Sequence, residues 1–242
     1  MNFEISGSGQ IPQGEYDGIR ISGSGKILGG VRCKSIHVSG AVKGEKIECE
    51  GDIRVSGSAS FEGEVKAGEV RISGAFSCGA LNVKDKLSVA GALKCEGDIK
   101  SEGIDVAGRV TVHGDVEAEA VNVSGVIDCD GLINAEEVMI EYERGMRIGS
   151  IGGSKIVICS ANDGKRHKLR LPLFSKIARK GSHTVTVDGA IEGDNIAVEG
   201  VRAERVSGRA VAIGDDCEIE LVQYSESIEI SKSARVLKVE NI

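Results

Sequence analysis

The sequence predicts an all-β chain folded as a three-sided parallel β-solenoid, a β-helix whose coils repeat with period 17. Three observations predict it. Glycine recurs with that period, at Gly23, Gly40, Gly57, Gly74, Gly91, Gly108 and Gly125, and a fixed period of this length marks a repeat architecture. Each glycine follows an apolar-x-apolar-x pair: Ile19/Ile21, Ile36/Val38, Ile53/Val55, Val70/Ile72, Leu87/Val89, Ile104/Val106 and Val121/Val123. Between glycines the apolar residues fall at alternate positions, the pattern of a strand with one buried face.

The repeat from Val121 shows how one coil is built. Val121, Val123, Gly125, Ile127, Cys129, Gly131, Ile133 and Ala135 alternate with polar residues, interrupted at Gly125, Gly131 and the Glu136-Glu137 step. Three short strands and three corners close a triangular coil, and stacked coils share a core of inward side chains. Glycine suits a corner because it tolerates positive φ and leaves room for a tight bend. Columns read across repeats agree. One inward column holds Ile27, Gly44, Phe61, Cys78, Cys95, Val112 and Cys129, and the column beside it holds Gly25, Val42, Ala59, Phe76, Leu93, Val110 and Ile127. Large residues in one column often face small ones in the other, which fills a narrow core at fixed volume. Ile47/Cys49 and Leu81/Val83 come one position early, and the following repeat is back in phase.

Phe3, Ile5 and Gly7 enter the pattern with a spacing of 16, and Val138/Ile140 repeat the pair with Tyr142 where glycine is due. The regular N-terminal solenoid is expected over 1–159. Residues 160–184 break the pattern and read as a basic amphipathic insertion. Strand alternation returns over 185–242, with Val185/Val187, Val201/Ala203, Cys217/Ile219 and Ala234/Val236 on one side, Ile191, Val206, Val222 and Val239 on a second, and Ile196/Val198, Val211/Ile213 and Ile228/Ile230 on the third. About thirteen coils are expected, a stack of about 60 Å at the strand spacing of a sheet.

Composition sets bounds. There are 34 Gly, no Trp and 3% aromatics in 242 residues, so the core rests on Val, Ile, Ala and Cys. The net charge of −7 argues against nucleic acid as a partner of the whole molecule. Seven Cys without a C-x-x-C pair read as buried small hydrophobes in a reducing cytoplasm. Cys78, Cys95 and Cys129 are expected to be buried, reduced and metal-free. No apolar run reaches the roughly 20 residues a membrane span needs.

The recurring V-S-G corner, in HVSGAVKGE, RVSGSASFEGE and NVSGVIDCDG, resembles the bactofilins, bacterial polymer-forming cytoskeletal proteins. The stretch IEGDNIAVEGVRAERVSGRAVAIGDDCEIELVQYSESIEI is similar to the Bacillota branch of that family. The resemblance implies a right-handed β-helix that assembles end to end without nucleotide or cofactor, as a homo-polymer or homo-oligomer. It also implies a scaffolding role in cell shape, envelope growth or motility. Family members carry a disordered tail on each flank and often a membrane-binding segment, and this chain shows neither pattern.

Enzyme readings compete poorly with a scaffold. A left-handed hexapeptide acyltransferase needs three hexapeptides per coil, a period of 18, and a catalytic His. The period here is 17, and His37, His113, His167 and His183 are scattered. A carbohydrate-active β-helix needs paired carboxylates beneath aromatic platforms. Asp98, Asp115, Asp128, Asp130, Glu136 and Glu137 supply the acids, but aromatics are too few. The calcium-binding nonapeptide and a phosphate-binding P-loop are both absent.

Two candidate contact regions remain. Phe3 and Ile5 at one end, and Ile228, Ile230, Val236 and Val239 at the other, leave apolar coils without a polar cap, so self-association is expected there. The insertion carries Lys165, Arg166, Lys168, Arg170, Lys176, Arg179 and Lys180 against Asp163, a charge of +6 that leaves −13 on the remainder. Leu173, Phe174 and Ile177 fall together on one side of a short helical pattern. That combination fits an anionic membrane surface, at the inner face of the cell membrane, or a partner protein.

Overall fold

A computed structural model describes residues 1–161 and 185–242. Twenty-five strands, from Asn2–Ile5 to Arg235–Asn241, pair only in parallel. The chain makes a parallel β-solenoid with three sides. Residues of a side pair with residues one coil earlier, so the inward columns run the length of the rod.

On the first side one column reads Ile5, Ile21, Val38, Val55, Ile72, Val89, Val106, Val123, Ile140, Ile158, Val198, Ile213 and Ile230. That is thirteen rungs, and all but the last are buried. Burying each such β-branched side chain contributes about 1.5–3 kcal/mol. The second side carries Ile27, Phe61, Cys78, Cys95, Val112 and Cys129, and the third carries Val31, Ile47, Val65, Leu81, Ile99, Val116 and Ile133. Gly44 shows the volume rule at one residue. A Cβ there would sit 3.0 Å from Ile27 Cβ and 3.2 Å from the Phe61 ring, which fills the space the glycine leaves. The rings of Phe61 and Phe76 pack 5.8 Å apart.

The one-residue slips at Ile47 and Leu81 are absorbed at corners. Val31, Ile47, Val65, Leu81 and Ile99 stay in one register. The residue missing before Ile47 and Leu81 is returned in the next corner, at Glu50–Asp52 and Lys84–Lys86.

The corner glycines have a different cause from the expected one. Among described residues positive φ occurs at Gly29, Gly200 and Asp216, and at none of the seven periodic glycines. What these glycines avoid is the coil beneath. A Cβ on Gly91 would lie 2.5 Å from Ser73 O, 2.6 Å from its carbonyl carbon and nearer still to Gly74 O; Gly40, Gly57, Gly74, Gly108 and Gly125 meet the same obstacle. The approach is made by hydrogen bonds. Ser73 N and Gly74 N both donate to Val55 O, at 2.8 and 3.1 Å, and Ala75 N donates to Gly57 O at 2.9 Å. The same three bonds recur at each of the periodic glycine corners.

From Val126 onward the character changes. Val126–Tyr142, Met146–Ser160, Val185–Val198, Val201–Ile213 and Glu218–Ile230 are long strands that pass around corners. Tyr142 takes the sequence place of a glycine but is buried. Its ring and hydroxyl fill the space that a Cβ on Gly200 would need, and Gly200 takes a φ of +61°. Residues on either side of 162–184 stack directly: Met146 pairs with Val185, Ile151 with Ile191 and Ile158 with Val198.

Gly91→Ala is therefore expected to destabilise the rod by about 3 kcal/mol or more, as overpacking against backbone. Gly103→Ala is the control, because a Cβ there meets nothing within 4 Å; it is expected to stay within about 0.5 kcal/mol of the wild type. Urea midpoints of the two variants check this, and equal midpoints would refute the steric account.

Candidate assembly interface

The two ends of the solenoid differ. At the N-terminal end Phe3 is half-buried and Ile5 is 5% exposed. Phe3 packs edge-on against Tyr16, with ring centroids 5.6 Å apart and planes at 82°, a favourable aromatic geometry. Tyr16 Oη donates to Pro12 O at 2.8 Å. The N-terminal ammonium and Lys34 Nζ, at 2.5 and 2.6 Å, flank Asp17. The Lys34 ammonium and the N-terminal ammonium hold its carboxyl down at about 2. Large rings thus plug this cross-section.

The C-terminal end is open. Ile230 is 41% and Val239 45% exposed, while Ile228 and Val236 are half-buried. Leu237, which sequence reasoning missed, is 67% exposed, and Ile242 is 66% exposed. The signal for Leu237 was available: it is an apolar residue at an outward position between Val236 and Lys238. Ile242 is brought in by its backbone, whose N–H donates to Tyr224 O at 2.9 Å. A ring of polar contacts surrounds this apolar end. Ser231 and Ser233 both donate to Asp215 Oδ1, the latter at 2.7 Å. Gln223 Nε2 donates to Glu240 Oε2 at 2.9 Å, and Lys238 Nζ lies 2.5 Å from Glu240 Oε1. The Ser231 and Ser233 hydroxyls hold the Asp215 carboxyl below its ordinary value, and the Lys238 ammonium with the Gln223 amide does the same for Glu240.

Lys165, Arg166, Lys168, Arg170, Leu173, Phe174, Lys176, Ile177, Arg179 and Lys180 lie outside the described residues. No helix among the described residues is long and apolar enough to cross a membrane.

Asp98, Asp115, Asp128, Asp130 and Glu137, among the acidic residues weighed as candidate catalysts, have partners on neighbouring coils. Asp98 Oδ1 accepts from Asp115 N at 2.9 Å, and Asp115 Oδ1 accepts from Leu132 N at 2.8 Å. Asp128 accepts from Arg147 N and from Arg109 Nη1, and Glu137 pairs with Lys155 at 3.0 Å. His37 Nε2 lies 3.1 Å from Asp52, and His113 Nδ1 lies 2.6 Å from Asp130, both on outward positions. Among described residues no group of three His, Cys, Asp or Glu is placed to hold a metal. Cys78, Cys95 and Cys129 lie in one buried column, as expected from the repeat, and no disulfide joins any of the seven cysteines.

These features define a parallel β-solenoid with one plugged end and one open apolar end. The family model for the bactofilins, described as polymer-forming cytoskeletal, matches residues 2–77 and again 45–110. The first seven rungs of this chain are thus similar to that family. The C-terminal stretch from Ile191 to Ile230 falls outside both ranges. No curated protein matches the chain, and no solved structure does.

A carboxylate with a depressed pKa in the fold adds stability that is present above its ordinary value and lost as pH falls through the folded value. Acidification from neutrality to below about 4 is therefore expected to reduce amide protection in residues 218–241. Rungs paired above and below, such as those across 103–142, should change less. Hydrogen exchange with mass detection checks this, and a uniform loss of protection would contradict it.

Proposed function

We propose that this protein is a non-enzymatic cytoskeletal scaffold of the bactofilin kind, assembling without nucleotide or cofactor through the ends of its β-solenoid. The observation that carries the reading is the open C-terminal rung. In twelve rungs the first-side column is closed, and in the thirteenth Ile230 is left 41% exposed beside Val239, Leu237 and Ile242. Among the described residues no strand pairs beyond Ile228–Ile230 or Arg235–Asn241, and such an edge pairs with another strand of matching spacing. A second copy supplies that spacing. The Phe3–Tyr16 end offers less apolar surface, so the C-terminal contact is the stronger of the two. The matched family model supports the polymer-forming role, and the C-terminal coils are assigned by the same reading to its Bacillota branch.

Rods joined end to end would supply a scaffold for cell shape, envelope growth or motility machinery in the cytoplasm. The basic segment gives such a rod a second contact, to anionic lipid at the inner face of the cell membrane. Its short apolar set gives modest affinity alone, and many copies on one polymer raise the avidity.

Ile230→Arg tests the end contact. A charge buried there without a partner costs on the order of several kcal/mol, so the variant is expected to sediment as monomers or shorter assemblies with its interior rungs still folded. A folded Ile230→Arg protein that sediments like the wild type would show that the contact lies elsewhere.

The membrane contact has its own test. Replacing residues 165–180 by a short Gly-Ser loop is expected to abolish co-sedimentation with vesicles rich in phosphatidylglycerol. Unchanged co-sedimentation would end the membrane reading and leave the scaffold reading standing.

A further inference from the structure

The seven cysteines are not equivalent. Cys33 and Cys49 are register partners on adjacent parallel rungs of the third side. Cys78 and Cys95 are register partners on the second. Adjacent rungs stand about 4.8 Å apart, inside the Cα separation of roughly 4.4–6.8 Å that a disulfide spans. Both pairs point into the core from the same local sequence, because Cys49-Glu50-Gly51-Asp52 and Cys95-Glu96-Gly97-Asp98 form the same kind of corner. In each, the upper thiol donates to the carbonyl three residues on, Cys49 Sγ to Asp52 O and Cys95 Sγ to Asp98 O, both at 3.5 Å.

Cys129 supplies the comparison. It begins a similar corner, Cys129-Asp130-Gly131, but the residue beneath it is Val112. Burial pushes its thiol up to about 11. In the stacked pairs the neighbouring thiol has the largest influence. Hydrogen bonding to Cys49 raises Cys33 well above an ordinary thiol, and donation from Cys33 and from the Gly51 N–H lowers Cys49. Those hydrogen bonds favour thiolate character at Cys49, the form that attacks.

The surroundings distinguish the two pairs. Cys33 and Cys49, 3% and 4% exposed, lie beneath a surface groove bordered by Glu15, Arg32, Lys34, Glu48 and Lys66. Cys95 is fully buried.

We propose that Cys33 and Cys49 form an oxidation-responsive dithiol, which closes to an intramolecular disulfide with hydrogen peroxide as the oxidant. The Cys49 thiolate attacks one peroxide oxygen, the O–O bond breaks, and the departing hydroxide takes up a proton to leave as water. The Cys33 sulfur then attacks the Cys49 sulfenic sulfur. The S–O bond breaks and the hydroxyl leaves with the Cys33 proton as a second water. Two thiols lose two electrons and two protons, and one peroxide becomes two waters. The product staples the second rung of the third side to the third rung, next to the plugged end.

The test treats the full chain with hydrogen peroxide at neutral pH without denaturant, unfolds it in iodoacetamide, and maps the peptides by mass spectrometry. The expected result is a peptide pair joined through Cys33 and Cys49, about two mass units lighter than the two free thiols, with Cys129 alkylated as a thiol. Cys33→Ser is expected to give no joined pair and to leave Cys49 as a sulfenic acid that dimedone traps. Recovery of Cys33 and Cys49 as alkylated thiols would overturn the proposal. So would cross-links from Cys49 to other cysteines, or oxidation of Cys129 at the same rate.

Discussion

Strand hydrogen bonding fixes successive coils at about 4.8 Å, and at the V-S-G corner that spacing brings one backbone onto the next with no room for a Cβ. The carbonyl before each corner accepts two N–H groups from the coil above, and the glycine carbonyl accepts a third. Three bonds per corner compress the turn, and glycine is the residue that survives the compression. The triangular cross-section, the flat sides and the straight inward columns all depend on that corner repeating without drift. Once the column of glycines ends at Gly125, the chain passes its corners as continuous strand, and Tyr142 packs inward against Gly200 instead.

The outer surface is organised by the same spacing. Charged residues one coil apart meet as Asp17–Lys34, Lys86–Asp105, Lys100–Glu117, Arg109–Asp128, Lys155–Glu137, Arg202–Glu218 and Arg209–Glu226. Such exposed pairs contribute little individually. Their effect is to hold the register, since a slip of one residue would turn each column to the opposite face. Asp128 and Glu137, among the acidic residues that invite an enzymatic reading, belong to this set, and Asp98 and Asp115 accept from backbone N–H groups one coil away.

A solenoid leaves its ends as the places where these rules are unfinished. The Phe3–Tyr16 plug and the Asp17 ion pairs complete one cross-section with large rings and charge. The other stops at Ile230, Val239, Leu237 and Ile242, each with exposed apolar area. In the proposed assembly, the edge pairing and apolar stacking that join two coils within the chain would also join two copies.

The all-β solenoid, its three sides, the inward columns and the return of phase after Ile47 and Leu81 were legible in the sequence. Alternation with period two and recurrence with period 17 are written into the order of the residues themselves. The apolar character of Ile228, Ile230, Val236 and Val239 was legible for the same reason. The reason for the corner glycines was not, because the clash is with a residue a whole coil away and φ is ordinary. Nor was the difference between the ends, which turns on how the Phe3 and Tyr16 rings fill a cross-section. The direct stacking of Ile158 on Val198 across residues 162–184 needed the folded register. The sequence determined which side chains face inward, because facing is a property of a strand. The tertiary structure decided which of them touch, because touching depends on how one coil settles on the next.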